Sequence, residues 1–418
     1  MRNQHLLILI IIAIVSIIVV GCSNSNEQDG NVTLNVALWD ENVSKVVDES
    51  IKVFKEKHPN VDVKVTYTPY SDYFTRLRTS IAGKKGPDVF WMNGPNFYQY
   101  ASLGLIKNVQ PLMERDQMDP GVYNDALQEL YSYEGDLYGL PYFQDTIGLF
   151  FNKKMFDEAG IDYPDESWTW ETIEEIGKKL TDKEKGIYGY IAPSTNQAGY
   201  YNLIHQAGGF VISEDKTESG FDSPQAREAF AWMKRLMQEG ISPTAQKQAE
   251  VHVNQLFGSG KAAMLPNISV NAPTLYDMLG DDLGVAPLPQ GKEKAAIVHG
   301  LSWVLNSHSQ HEALAWELMK TLSGEEAERM LAESGFSIPA YKGTEDAWIA
   351  SIPELDLQMF VDSLEFGVPY PVSKSTLKWQ NIESQEIQQM LFKDRSIDEA
   401  TRNIAEKMND ILTEEQKK

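Results

Sequence analysis

The sequence predicts an α/β chain organised as two domains. Three observations carry that prediction. The apolar pattern between residues 32 and 92 switches repeatedly between a period of two and a helical period, and a second alternating set begins at Tyr138. The chain is also 418 residues long, more than one hydrophobic core normally serves.

Val32, Leu34, Val36 and Leu38 alternate, which predicts a strand over 32–39. Val43, Val46, Val47, Ser50, Ile51 and Phe54 then recur at helical spacing, and His58-Pro59-Asn60 stops that helix. Val61, Val63, Val65 and Tyr67 alternate again. Tyr73, Leu77 and Ile81 follow at intervals of four, Gly83 closes the helix, and Pro87 leads into an apolar strand over 88–92. Strand, helix, strand, helix, strand with short connections needs right-handed crossovers and a parallel sheet. All three strands then end on one rim, where open α/β sheets hold ligands. Topology therefore nominates Trp39 and Asp40 after the first strand, Tyr70 after the second, and Asn93 and Asn96 after the third.

Tyr138-Gly139-Leu140-Pro141 marks a turn-rich boundary before an apolar strand over 147–151. Further elements are a helix over 170–180, a strand over 187–191, and a helix over 224–239 capped by Ser223 with Pro224 at its first position. Trp232 lies off the apolar stripe of that last helix and is either partly exposed or packed between helices. Residues 311–322 form another helix and 384–412 contain two more. No repeat of 20 to 50 residues is present.

Composition narrows the partners. Thirty-seven basic against 60 acidic residues give a formal charge of −23, which opposes phosphate backbones and anionic headgroups and excludes nucleic acid as a partner. Nine Trp and 18 Tyr offer flat apolar faces with a polar handle, suited to stacking on sugar rings, although most belong to ordinary cores. Catalytic and cofactor signatures are missing. Gly258-Ser259-Gly260-Lys261 lacks the upstream Gly and the following Ser or Thr of a phosphate loop. His308 and His311 have no further ligand at metal spacing, and no Gly-x-Ser-x-Gly occurs. The expectation is a binding protein with no catalytic residue, metal or cofactor. A glycoside hydrolase stays open, because it needs only two suitably separated carboxylates.

Residues 1–22 have the layout of a secretory signal: a polar start with Arg2, an apolar run from Leu6 to Val20, then Gly21-Cys22. A run of about 15 residues falls short of a hydrocarbon core roughly 30 Å thick, so a permanent span is the weaker reading. Val19-Val20-Gly21-Cys22 resembles a bacterial lipobox, which implies cleavage before Cys22 and lipidation of its thiol. Cys22 is the sole cysteine, so no disulfide forms within the chain. Residues 23–31 lack apolar side chains and read as a flexible tether.

Several stretches in order resemble the family 1 extracellular solute-binding proteins, the maltose-binding-protein-like receptors of ABC importers. They are Gly86-Pro87-Asp88-Val89-Phe90-Trp91 with Tyr100 to Ile106, then Leu137-Tyr138-Gly139-Leu140-Pro141-Tyr142 with Leu149 to Lys153 and Ala159-Gly160-Ile161. Lys261 to Met264, Val285 to Pro289 and the helix from Glu312 to Leu322 follow. The resemblance implies a two-lobed, type II periplasmic-binding-protein-like α/β fold with three interlobe crossings, near 140, 290 and 325, and a ligand cleft between the lobes. One lobe would comprise 32–140 and 291–324, the other 141–290 and 325–418. It also implies a monomer on the outer face of the membrane that passes a small carbohydrate to ABC permease subunits.

By motif, Asp145 stands where the family places an acid for sugar hydroxyls, with Tyr142 beside it and Tyr200 where an aromatic meets the sugar. Gly300, Trp303 and Trp379 complete the candidates, the two tryptophans as stacking platforms. Pro266-Asn267-Ile268-Ser269 lacks the tryptophan of some maltose binders, which puts maltose itself in doubt. A receptor for a polyamine or a polyol phosphate would share the fold.

Overall fold

A computed structural model describes residues 32–393 and 395–417. The signal over 1–22, the tether over 23–31 and Cys22 lie outside the described residues. β1 (Val32–Leu38) runs parallel to both β2 (Val61–Tyr67) and β3 (Val89–Asn93), with Val32 opposite Val61 and Val36 opposite Val89. The helices between them, Ser44–Lys57 and Tyr70–Ala82, bury Val46, Val47, Ile51 and Phe54 in the first and Tyr73, Leu77 and Ile81 in the second, as the spacing requires.

Further along come a short hairpin, β4 (Ser132–Tyr133) with β5 (Asp136–Leu137), then β6 (Gly139–Asp145), β7 (Ile147–Asn152), β8 (Met264–Ile268) and β9 (Leu283–Ala286). The last strands are β10 (Ala296–Leu305), β11 (Ile338–Pro339) and β12 (Gly367–Pro369). The first sheet has the order β11-β6-β10-β3-β1-β2, with β12 beside β10. Every residue of β3 and β6 is buried, as in central strands covered on both faces, whereas β2 at the edge alternates. The second sheet is antiparallel, in the order β8-β7-β9. The helix Gln358–Asp362 lies directly on β7, and only glycine fits at 148, since a Cβ there would sit 2.4 Å from the Phe360 ring.

The chain passes between the sheets three times. β6 ends at Asp145 and β7 begins at Ile147, so the first passage falls slightly later than residue 140. The second falls between Ala286 and Ala296. The third does not occur near 325: the helix Glu325–Glu333 packs on Ser44–Lys57 and on β11, a strand of the first sheet. Ala332 at the end of that helix and Ile338 of β11 already join the second sheet's core, Trp348 and Phe360 follow, and the chain then lays β12 beside β10.

Residues 187–191 are not a strand. They make isolated bridges, Ile187 to Asp182 and Tyr188 to Ala262. Trp232 is buried and stacks on Trp170 at 4.9 Å between centroids, so it packs between helices. The terminal pair of helices spans Thr376–Phe392 and Ile397–Gln416.

Trp91, Tyr142 and Trp303 form an aromatic cluster across β3, β6 and β10, with centroids 5.5 to 6.0 Å apart. All three are fully buried. Trp303→Ala should cost about 3–5 kcal/mol through the cavity it leaves. The measurement is the urea midpoint, with the slope unchanged.

Candidate functional site

The rim formed by the ends of β1, β2 and β3 brings five nominated residues together. Trp39 is half-buried, with its ring centroid 5.0 Å from those of Tyr73 and Trp91 and 5.5 Å from that of Tyr70. Tyr70 keeps 54% of its surface exposed, so an aromatic edge and face remain open at the rim. Its hydroxyl accepts from Asn93 Nδ2 at 3.0 Å, and Asn93 Oδ1 accepts from Asn96 Nδ2 at 2.8 Å. This relay orients both amides and leaves the Tyr70 hydroxyl proton free to donate outward. Asp40 caps the following turn, its Oδ1 accepting from the Asn42 N–H at 2.9 Å.

Asp145 ends β6 and is buried. Gln197 Nε2, from the other side of the seam, donates to its Oδ1 at 2.6 Å. Gln197 sits in the widened turn Asn196–Tyr200, which Asn202 fastens. Asn202 Nδ2 donates to the carbonyls of Gln197 (2.7 Å) and Gly199 (3.2 Å), while its Oδ1 accepts from the Ile297 N–H of β10 (2.8 Å). Glycine is required at 199, where a Cβ would lie 2.2 Å from the Pro193 oxygen. Such π-type turns recur at functional sites.

Opposite Asp145 in the β6–β10 ladder stands His299, and the Tyr370 ring lies 4.8 Å from it. The Tyr370 hydroxyl accepts from Asn196 Nδ2 (2.9 Å) and Gln380 Nε2 (2.8 Å), which orients its own proton. A Cβ at Gly94 would come within 3.3 Å of His299 Nε2, so that ring nitrogen points at the start of the helix Gly94–Ser102, next to Asn93 and Asn96. Among the described residues, His299 Nε2, Asn96 Oδ1, Gln144 Oε1 and Thr146 Oγ1 are buried polar atoms with unused hydrogen-bonding capacity. Buried polar atoms are normally paired, and these four stand on β6, its passage to β7, β10 and the helix after β3.

Four nominated aromatics and one glycine belong elsewhere. Tyr142 and Trp303 lie inside the β3–β6–β10 cluster, and Trp379 is fully buried with its Nε1 donating to Ser373 Oγ at 3.0 Å, so none of the three is a stacking platform. Tyr200 is turned inward: its hydroxyl donates to Glu383 Oε1, as that of Tyr201 does to Oε2 at 2.8 Å. Gly300 serves packing, since a Cβ would meet the Phe143 oxygen at 2.2 Å, and its carbonyl accepts from the Tyr131 hydroxyl at 2.6 Å. Sequence reasoning missed Gln197, His299, Tyr370 and Gln380 as site residues. Only His299 carried a local signal, through its place in the segment before Trp303.

Beside Asn196 and Gln380 lies a groove of about 380 Å³ that Tyr200 and Glu383 also line. A cavity of about 560 Å³ among Asn152, Lys154, Gly258 and Gly260 includes none of the rim residues. Burial raises the Asp145 carboxyl to about 7 against the opposing bond from Gln197, and raises Glu383 to about 8 against its two tyrosine donors. Desolvation lowers His299 to about 4, so it is a neutral imidazole at neutral pH. Among the described residues no group of three His, Cys, Asp or Glu is placed to hold a metal, and no helix is long and apolar enough to cross a membrane.

Two sheets meeting where β6, β10 and β12 run side by side, with polar groups and aromatic rings converging on the seam, define a two-lobed solute-binding protein. The chain belongs to the bacterial extracellular solute-binding protein family, whose model matches residues 35–329. It is 25% identical to the galactooligosaccharide-binding protein of Bacillus subtilis (strain 168), over 79% of each chain. It is 27% identical to the maltotriose-binding protein of Pyrococcus abyssi, over 56% of this chain and 49% of that one. An ABC substrate-binding protein from Listeria monocytogenes in complex with cycloalternan superposes with a TM-score of 0.82 at 26% identity, covering 92% of this chain and 99% of that one.

A group held protonated by burial binds more protons folded than unfolded, so its stabilisation is complete at low pH and lost as pH rises through the raised value. For Asp145 and Glu383 that loss starts at the ordinary carboxyl values near 4 and is complete once pH has passed about 7 and about 8. Melting temperature should therefore decline from about pH 4 to about pH 8 and level off above, and Glu383→Gln should flatten part of the decline in a calorimetric series.

Proposed function

We propose that this chain is the extracytoplasmic binding component of an ABC importer and takes a sugar or short oligosaccharide into the seam between its lobes, for delivery to the permease. The observation that carries this reading is the convergence on Asp145. An acceptor carboxyl, the amides of Gln197, Asn93, Asn96 and Asn196, the Tyr370 hydroxyl and the Trp39–Tyr70 rim suit a ligand with many hydroxyls and apolar ring faces. The relatives named for galactooligosaccharide and maltotriose support the same ligand class. We place the lobe limits at 32–145 with 296–340, and 146–295 with 345–393 and 395–417, with β12 lying along β10 at the boundary. Closure follows because a solute touches both lobes only when they meet.

No chemistry is assigned to the bound solute. Glycoside hydrolysis needs two carboxylates flanking the bond, and Asp145 is met across the seam by an amide. A polyamine would want several acids and a phosphorylated polyol a cationic group, whereas amides and tyrosines supply most of the polar groups here. Lipidation at Cys22, with a monomer tethered to the outer face of the membrane, completes the reading.

A thermal-shift screen of mono- and oligosaccharides, followed by calorimetry, tests it: saturable binding without turnover is expected, and release of a cleaved product would sink it. Asp145→Asn should weaken binding by about tenfold, the order expected for a hydrogen bond to a charged group. Ligand hydroxyls that donate to the carboxylate should make wild-type affinity rise through pH 7, and the variant should lose that dependence. Cys22→Ala should move the protein from the membrane fraction to the soluble fraction, and mass spectrometry of the wild-type amino terminus should find the acyl chains.

A further inference from the structure

Away from the seam's polar groups, two lysines of the second lobe reach across to a tyrosine patch on the first. Tyr98 of the helix Gly94–Ser102 and Tyr133 of β4 meet edge to face, with centroids 5.8 Å apart. Lys216 Nζ stands 5.5 Å from the centre of the Tyr98 ring and 3.6 Å from Glu129 Oε1 of the helix Asp125–Leu130, also on the first lobe. Lys374 Nζ stands 5.7 Å from the centre of the Tyr133 ring.

Both lysines are anchored on the second lobe. Lys374 N–H donates to Glu415 Oε2 at 3.2 Å, in the helix Ile397–Gln416. Lys216 occupies the left-handed region at φ 59°, unusual for a residue with a side chain. Its turn is held by Ser213 Oγ, which accepts from the N–H groups of Thr217 (3.1 Å) and Glu218 (2.9 Å), and by Asp215 Oδ1, which accepts from the Ser213 and Thr217 hydroxyls, each at 2.7 Å. Ser219 N–H donates to Asn409 Oδ1 at 2.7 Å and ties the loop to the same terminal helix. The loop thus presents Lys216 to the opposite lobe from a fixed base.

We propose that Lys216 and Lys374 form a cation–tyrosine latch that holds the lobes together, so that they set solute affinity without touching the solute. The inference rests on the two-lobed closure reading of the site. The contacts exist only while the lobes meet, so they add to the closed population, and apparent affinity scales with that population. Partly exposed cation–π contacts of this kind support a change of roughly three- to tenfold for the pair. The Lys216–Glu129 contribution should weaken with salt, because Glu129 is half-exposed.

The test uses the chain with Cys22→Ala, carrying fluorescent labels at Lys57→Cys and Glu354→Cys, exposed positions on different lobes. It compares wild type with Lys216→Met/Lys374→Met and with the arginine pair at the same positions. Methionine keeps the aliphatic stem and removes the charge. Without ligand, the methionine pair should shift energy transfer toward the open form and the arginine pair should restore it. With maltotriose and a galactooligosaccharide as probes, the methionine pair should raise the dissociation rate three- to tenfold while melting temperature and association rate hold. Unchanged lobe separation together with unchanged dissociation would overturn the latch. A wild type that binds no carbohydrate would instead sink the functional reading, and the ligand-free distances would still decide the latch.

Discussion

The end of β6, the start of β10 and β12 run side by side at the boundary between the lobes, and the rest of the architecture depends on that adjacency. β6 leaves the first sheet at Asp145, beside β10, and β10 pairs through Ala296–Val298 with β12. A hinge made of adjacent, hydrogen-bonded segments can bend only about a narrow axis. It also delivers its own end residues to one place. Asp145 is the last residue of β6, His299 lies opposite it on β10, and Tyr370 immediately follows β12. The deepest part of the site is therefore a by-product of how the chain crosses.

That placement decides the electrostatics. A chain with a formal charge of −23 keeps its acids on solvated faces, yet Asp145 and Glu383 are buried, and burial drives both carboxyls toward the protonated form. Their partners are an amide and two phenols, not cations. Neutral donors and acceptors dominate the seam, and a solute that exchanges one neutral hydrogen bond for another leaves no buried charge uncompensated. The aromatic rim is rigid for a related reason. Trp39 rests on Trp91, and Trp91 on Trp303 and Tyr142, so the exposed platform is backed by core rings that pack without room to rotate.

How much of this was legible in the sequence depended on range. Period-two and period-3.6 patterns within 32–92 state local burial directly, and the βαβαβ unit with its rim of Trp39, Tyr70, Asn93 and Asn96 followed from them. The strand read at 187–191 failed because its apolar residues pack through isolated bridges, and a short run alone does not distinguish the two. Trp303 and Trp379 looked like platforms because aromatic rings serve cores and ligands alike; only tertiary packing separates Trp39, half-open at a strand end, from Trp303, closed in by two neighbouring strands. Gln197 and Tyr370 left no trace, since their roles arise from contacts spanning 52 residues in one case and 174 in the other.

The Asp145–Gln197 bond itself spans the two lobes, and this bears on how solute and closure are coupled. With the lobes together the amide satisfies the carboxyl directly. A solute hydroxyl that takes the same oxygen gains only the difference between two hydrogen bonds, whereas one that donates to the other carboxyl oxygen adds a bond. Net binding must then draw on what the lobes do not already give each other: the open face of Tyr70, and the unused capacity at His299 Nε2, Asn96 Oδ1, Gln144 Oε1 and Thr146 Oγ1. These groups come from the helices after β2 and β3, from β10, and from β6 and its passage to β7. A solute long enough to reach several of them gains more than one that meets Asp145 alone, so the layout selects for polyhydroxy ligands with hydroxyls on more than one edge.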